Sequence, residues 1–372
     1  MQKRKIGILL VLMSCLLLFG CGKKEEVEEK INWVVVETGE YEDEYRYHVI
    51  SNGISCYAEI VEYIGTNTQV IIPEKINDWD VISIGDSAFL GKREIKKVAI
   101  PDTVKTIEQA AFYGCTSLKE IIISKSITEI GKGAFYQTPW LEDAKQQNPM
   151  VIVNDILLDG TQLTGNVEIP SGIRKIASTA FCGAKIQSVE IADGVVEIGK
   201  SAFEACEELA MVKVPKSVCR IGARAFEGTV WLDEMKRTEE FVIVNYILIA
   251  VNGVGEDVIL PEGIEAIAGE VFYMNQDIQS VSAPSSLKRI GEAAFADCRN
   301  LKKVTLQEGV EEIEQMAFSG LLIDTEVSVP ASVTYIGRDA LCGCGRLGTL
   351  IVVSGSYAEQ YAKENDLNYE VK

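Results

Sequence analysis

The sequence predicts a mostly β solenoid of about twelve 23-residue turns, with short parallel strands and brief helical turns. Three observations predict it. A motif of the form Ile-Gly-x-x-Ala-Phe recurs ten times, from Ile84–Phe89 to Ile336–Leu341. Its last positions, from Phe89 to Leu341, are separated by 23, 23, 46, 22, 23, 46, 23, 23 and 23 residues. The two 46-residue steps are copies of one another: Thr138-Pro139-Trp140-Leu141 matches Thr229-Val230-Trp231-Leu232, 91 residues later.

Each unit opens on a short alternating segment such as Val98-Ala99-Ile100 or Val212-Lys213-Val214. The outer two residues point inward and the middle one outward, as in a half-buried strand. Proline follows at 101, 170, 215, 261, 284 and 330, each 11 residues before the aromatic position. It ends the ladder and sets a turn. A second apolar pair such as Val104 and Ile107 comes next, and Ala-Phe then fills the interior. A single unit cannot bury its own apolar face, but stacked units share a continuous core. Twelve turns at about 4.8 Å each make a rod of roughly 60 Å. Within each long step, Trp140 or Trp231 opens an excursion expected to bulge into a small hairpin, and each ring is expected to plug the edge of its own core.

The start of the chain is organised differently. Lys3, Arg4 and Lys5 precede an apolar run from Ile6 to Phe19, and Leu18-Phe19-Gly20-Cys21 closes it. This is the layout of a secretory signal, residues 1–20, and charges resume at Lys23 before the ~20 apolar residues of a membrane span accumulate. The four closing residues resemble the lipobox of bacterial lipoproteins, which implies acylation of Cys21. Residues 21–45 read as the lipidated cysteine and an acidic linker, in which Trp33–Val36 is the one apolar patch and a candidate first strand. Residues 46–355 form the solenoid, and 356–372 a helix-strand cap. Removing the signal's three positive charges takes the net charge from -19 to -22. Such a surface repels nucleic acid and anionic lipid heads.

The V-x-I-P segments, the Ile-Gly-x-x-Ala-Phe motif with cysteine three residues on, and the Trp-Leu excursions followed by an apolar run and Asn resemble the BspA-type leucine-rich repeats of bacterial surface proteins. The tail Ser356–Ala362 resembles that family's C-terminal cap. The resemblance implies a leucine-rich-repeat solenoid exposed at the cell surface, outside the cytoplasm, engaged in protein binding or adhesion. It implies no chemistry and no cofactor.

The residues themselves offer little chemistry. Gly194–Ser201 fits G-x-x-x-x-G-K-S, but Gly199 is the Ile-Gly position of the repeat, and no strand-to-long-helix context surrounds it. Cys115, Cys206, Cys298 and Cys344 share one repeat position, three residues after the ladder, where neighbouring turns carry Thr138, Ala184, Thr229 and Leu321. That pattern reads as buried small thiols rather than a disulfide or metal framework, and Cys342-Gly343-Cys344 lacks the second half of a zinc site. His48 is the single histidine. It excludes multi-histidine metal sites and makes a Ser-His-Asp arrangement improbable.

A binding face remains. The outward strand positions run Ala99, Ile122, Glu168, Glu190, Lys213, Ile259, Ser282, Thr305, Ser328 and Ile351, varying while the inward ones do not. Lys213, Ser282, Thr305 and Ser328 are the candidate contact residues for an unidentified protein or glycan partner. Two other readings stand beside this one: an enzyme or accessory subunit with a small-molecule pocket at the Trp140 and Trp231 excursions, and a purely structural envelope protein.

Overall fold

The path of the chain is set by where each unit places its apolar residues. The structure, a computed structural model, describes residues 34–322, 324–341 and 348–372. Cys21, the signal and the Cys342–Cys344 pair lie outside the described residues. The chain winds into a β-solenoid of about 13 turns with little helix. Each regular turn has three sides. The V-x-I segment forms one sheet, the pair ending in the motif's isoleucine forms a second, and the Ala-Phe stretch forms a third side made of turns. Val98 stacks on Ile121 in the first sheet and Ile107 on Ile130 in the second, in parallel register. The third side continues the ladder without strands: Phe89 N donates to Ala111 O, and Phe112 N to Ala134 O, both at 2.7 Å.

The nine ladder phenylalanines, Phe89 to Phe318, are each no more than 2% exposed. Their rings stack face to face, with centroids 4.9 Å apart for Phe89–Phe112 and 4.8 Å for Phe181–Phe203. The backbone makes room for each ring at a cost. The residues two before and two after each phenylalanine adopt left-handed φ, as Ser201 (φ 56) and Ala205 (φ 58) do around Phe203. Glycine fills the later position in several turns, but the earlier one is held by Ser87, Ala110, Thr179, Arg224, Glu270 and Met316 among others. Left-handed backbone is unfavourable for residues with a Cβ, so stacking over-determines it.

Both ends are closed by irregular elements. Val34–Tyr41, Tyr45–Ser51 and Cys56–Tyr63 form an antiparallel meander ahead of the first parallel strand. Tyr45, Tyr47 and Val49 are buried there, and Tyr63 stacks on Phe89 at 5.1 Å, beginning the aromatic ladder. Paired structure thus starts at Val34, inside the stretch expected as linker and ahead of the boundary expected at residue 46. The first strand stays mostly exposed and is held by its antiparallel ladder to the second. At the far end a helix, Tyr357–Glu364, buries Ala358, Tyr361 and Ala362 over the last turn, and Tyr369–Val371 adds a final parallel strand.

The 46-residue steps hold more than a hairpin. Helices α1 (Pro139–Gln147) and α2 (Val230–Thr238) come first, and the hairpins Val151–Val153/Ile156–Asp159 and Phe241–Val244/Ile247–Val251 follow. Thr138 and Thr229 start the helices. Each hydroxyl donates to the carbonyl of the ladder phenylalanine three residues back, Phe135 at 2.7 Å and Phe226 at 2.8 Å. Each also accepts the amide of Leu141 or Leu232, a helix N-cap. Asn154 and Asn245 pin the hairpin tips, donating to carbonyls of the preceding turn at Ser124 and Ile127, and at Pro215 and Val218. Each step interrupts both sheets. No described helix is long and apolar enough to cross a membrane.

Candidate binding face

The V-x-I sheet places its middle residues in straight rows. In the C-terminal segment Ile259 pairs with Ser282, Ser282 with Thr305, Thr305 with Ser328, and Ser328 with Ile351. Three of the four candidate contact residues therefore stand on adjacent strands. Ser282 is exposed, while Thr305 and Ser328 are half-buried between their neighbours. Lys213 is exposed on a separate segment of sheet, on the last strand of the Thr164–Lys213 group, and pairs with Glu190 one turn below. Expected as an outward residue, Ile351 is only 8% exposed, because the terminal strand Tyr369–Val371 pairs beside it. The row carries more apolar surface than its composition suggested. Ile71 is 78% exposed, Ile259 76% and Met211, beside the row, 65%. These three lie on separate segments of the sheet, one on each, and they add apolar surface to the outward side of each segment.

The excursions offer no comparable surface. Trp140 lies on Phe135 with centroids 4.8 Å apart and rings tilted by 57°, and Trp231 lies on Phe226 at 4.8 Å and 61°. Both are half-buried and pack against the core, each ending one run of the aromatic ladder. The adjoining cavity, between Phe226, Leu232, Lys236, Ile249 and Glu270, measures about 90 Å³. Ligand pockets ordinarily occupy about 300–1,000 Å³. The first copy fills the corresponding place with polar side chains: Tyr136 Oη bonds Thr179 Oγ1 at 2.7 Å, and Lys145 Nζ pairs with the buried Asp159 at 3.0 Å.

The ladder thiols are engaged in structure. The thiols of Cys115, Cys206 and Cys298 donate to the carbonyls of Phe89, Phe181 and Phe272, one turn below, at 3.1, 3.0 and 2.9 Å. Burial pushes the first two up to about 11 and the third to about 12, far from a reactive thiolate. The amides of Gly194–Ser201 do not cradle a phosphate: Val196 N bonds Arg174 O, Gly199 N bonds Ile176 O, and Ser201 N bonds Ala223 O. On the Ile-sheet side, burial raises Glu108 to about 6, with Glu59 and Asp86 adding to the shift. His48 Nδ1 lies 3.9 Å from Glu59. Among the described residues no group of three His, Cys, Asp or Glu side chains is arranged to hold a metal ion.

Comparison with known proteins agrees with the repeat grammar. The BspA type Leucine rich repeat region matches in six copies, over residues 82–156, 140–248 and 255–366. Among solved structures, the chain is similar to a leucine rich cell surface protein from Faecalibacterium prausnitzii, with 22% identity over 90% of this chain and 95% of that one, at a TM-score of 0.35. It is also similar to the pneumococcal vaccine antigen PcpA (17% identity, 91% and 99% covered, TM-score 0.30) and to a leucine-rich repeat protein from Bacteroides ovatus (21%, 89% and 98%, 0.25). No curated protein sequence is a significant match. Matched over well beyond half of its length, the chain belongs to the family of BspA-type leucine-rich repeat proteins.

Proposed function

We propose that this is a surface protein, held outside the cytoplasm by a lipid on Cys21, whose solenoid binds a protein or glycan partner through the V-x-I sheet and performs no catalysis. The observation that carries the reading is the set of rows of outward middle residues, in register within each of three sheet segments, Ile71 to Ile122, Glu168 to Lys213 and Ile259 to Ser328. A repeat scaffold binds through equivalent positions of successive turns, and a rigid row loses little entropy on docking. The acidic surface favours a partner that is neutral or basic, and not a nucleic acid.

The test is capture of surface proteins and glycans by the chain from residue 22 onward, since a start at 46 removes the strand that pairs with Tyr45–Ser51. Ile259→Lys with Ser282→Glu should abolish capture while leaving the melting temperature unchanged. Undiminished capture by that variant places binding elsewhere. The anchor has its own measurement. Cys21→Ser should move the protein out of the membrane fraction, and mass spectrometry of the wild-type N-terminus should show an acylated cysteine. An intact Met1 or an unmodified Cys21 refutes the anchor.

A further inference from the structure

We infer that the second 46-residue step is a hinge, and that a clasp of ion pairs across the Ile-sheet face holds its two arms at their present curvature. Three observations meet there, of which the first two hold at the first step as well. Neither sheet is hydrogen-bonded across it: the V-x-I sheet stops at Met211–Lys213 and resumes at Asp257–Ile259, and the Ile sheet stops at Arg220–Ile221 and resumes with the hairpin Phe241–Val251. The aromatic ladder stops on Trp231 and resumes at Phe272. The apolar core changes over just beyond it: one cluster runs from Tyr45 through Val242, Ile247 and Ala250 to Ala268, and a second starts at Leu248. At the first step, in contrast, a single cluster continues through.

Beside the apolar contacts of the hairpin, Ala266 and Ala268 with the first arm's core, charge joins the arms. Lys200 reaches Glu270 at 2.7 Å and Glu292 at 3.5 Å, and Arg220 reaches Glu312 at 3.4 Å and Glu314 at 3.6 Å. Arg289 Nη2 donates to Cys219 O at 2.8 Å. Lys200–Glu292 and Arg220–Glu312 each span 92 residues, several turns of stacking. Side chains meet over that separation only if the Ile-sheet face is strongly concave. Among the described residues the first step has one counterpart ion pair, Lys175 with Glu129. Gly269 packs so tightly on Ala223 that a Cβ on it would lie 2.9 Å from the alanine methyl, which marks the pivot. The clasp is not fully satisfied, since Glu312 Oε2 is buried without a hydrogen bond. Lys200 and Glu292 are about a third exposed and are the members that salt weakens most, while the more buried Arg220 and Arg289 contacts are screened less.

Small-angle X-ray scattering of the chain from residue 22, which keeps every described element, tests this. Curves are extrapolated to zero protein concentration in about 0.1 M and about 1 M salt, where the Debye length falls from ~10 to ~3 Å. The wild type should lengthen at high salt. Self-repulsion of an acidic chain acts in the opposite sense, because screening it favours compaction. Arg220→Met with Arg289→Met should be long at both salts, with an unchanged circular dichroism spectrum. If that variant loses the spectrum, Lys200→Met, at a more exposed member of the clasp, should show a smaller salt-independent lengthening. Superimposable curves for wild type and folded variants at both salts overturn the hinge.

Discussion

Alanine at position 203 removes a ring lodged between Phe181, with centroids 4.8 Å away, and Phe226, 5.3 Å away. Phe203 is fully buried. The neighbours cannot close over the space, because Phe181 N and Phe203 N are tied to Ala202 O and Ala225 O of the next turn at 2.7 Å. Truncating a buried phenylalanine costs about 3–5 kcal/mol, with the cost rising where the site cannot collapse. Loss of two ring contacts, each about 0.5–1.5 kcal/mol, puts Phe203→Ala in the upper part of that range. Phe318 has one stacked ring below it, Phe295, and Leu341 at the next ladder position, so Phe318→Ala should cost about 1 kcal/mol less. Urea unfolding followed by circular dichroism measures both. Tryptophan fluorescence reports the first arm in particular, since Trp79, Trp140 and Trp231 all pack on its core. A loss under about 2 kcal/mol for Phe203→Ala, or a larger loss for Phe318→Ala, refutes the rigid-ladder argument.

Glu108 titrates at about 6 in the fold against an ordinary glutamate value of 4.5, so the folded state holds its proton more tightly. That contribution is fully present below about pH 4.5 and lost as pH rises through 6, a difference of about 2 kcal/mol at roughly 1.36 kcal/mol per pH unit. Glu108→Gln should therefore be the more stable protein at pH 7.5, by up to about that amount, and equal to wild type near pH 4.5; parallel stability profiles would refute this. Met316→Gly should raise stability by about 1 kcal/mol in chemical unfolding, because the half-exposed methionine sits at φ 55 and glycine relieves the strain; a loss means its side-chain contacts outweigh the backbone. Thr229→Ala removes both the cap on α2 and the bond to Phe226 O, and should cost about 1–2 kcal/mol, whereas Thr229→Ser should recover most of it; equal losses would show that the hydroxyl is unimportant.

The repeat was legible because each inward position has one physical task and one residue type that performs it. Phenylalanine fills the ladder, isoleucine the second sheet, and proline the corner, so the period appears directly in the sequence. The helices of the long steps were missed, although their signal was present: Thr138-Pro139-Trp140-Leu141-Glu142 is an N-cap, a first-turn proline and a first-turn acid. The same repeat position reads differently by residue. Cysteine three residues after phenylalanine bonds back to the turn below, while threonine there caps a helix and opens an excursion. The left-handed positions beside the ladder were not legible, because Ser, Ala, Thr, Arg, Glu and Met all occupy them and only stacking imposes the conformation. The clasp was not legible either, since no local pattern marks a lysine or arginine as the partner of an acid 92 residues away. On the candidate face, alternation identified the outward row, but the covering of Ile351 depends on a terminal strand whose register the sequence does not reveal.

The bond from each ladder thiol to a phenylalanine carbonyl has a consequence for where such a chain can fold. Cys115, Cys206 and Cys298 sit in different turns, each closed in by apolar neighbours and each with its hydrogen placed on an oxygen of the turn below. Small extracellular domains commonly rely on cross-links that need an oxidant to form. Here the covalent work is replaced by stacking, and sulfur serves as a compact donor in its reduced state. At these three positions folding requires no partner search among cysteines and no enzyme to correct wrong pairings. The ladder at these turns holds together with or without an oxidant.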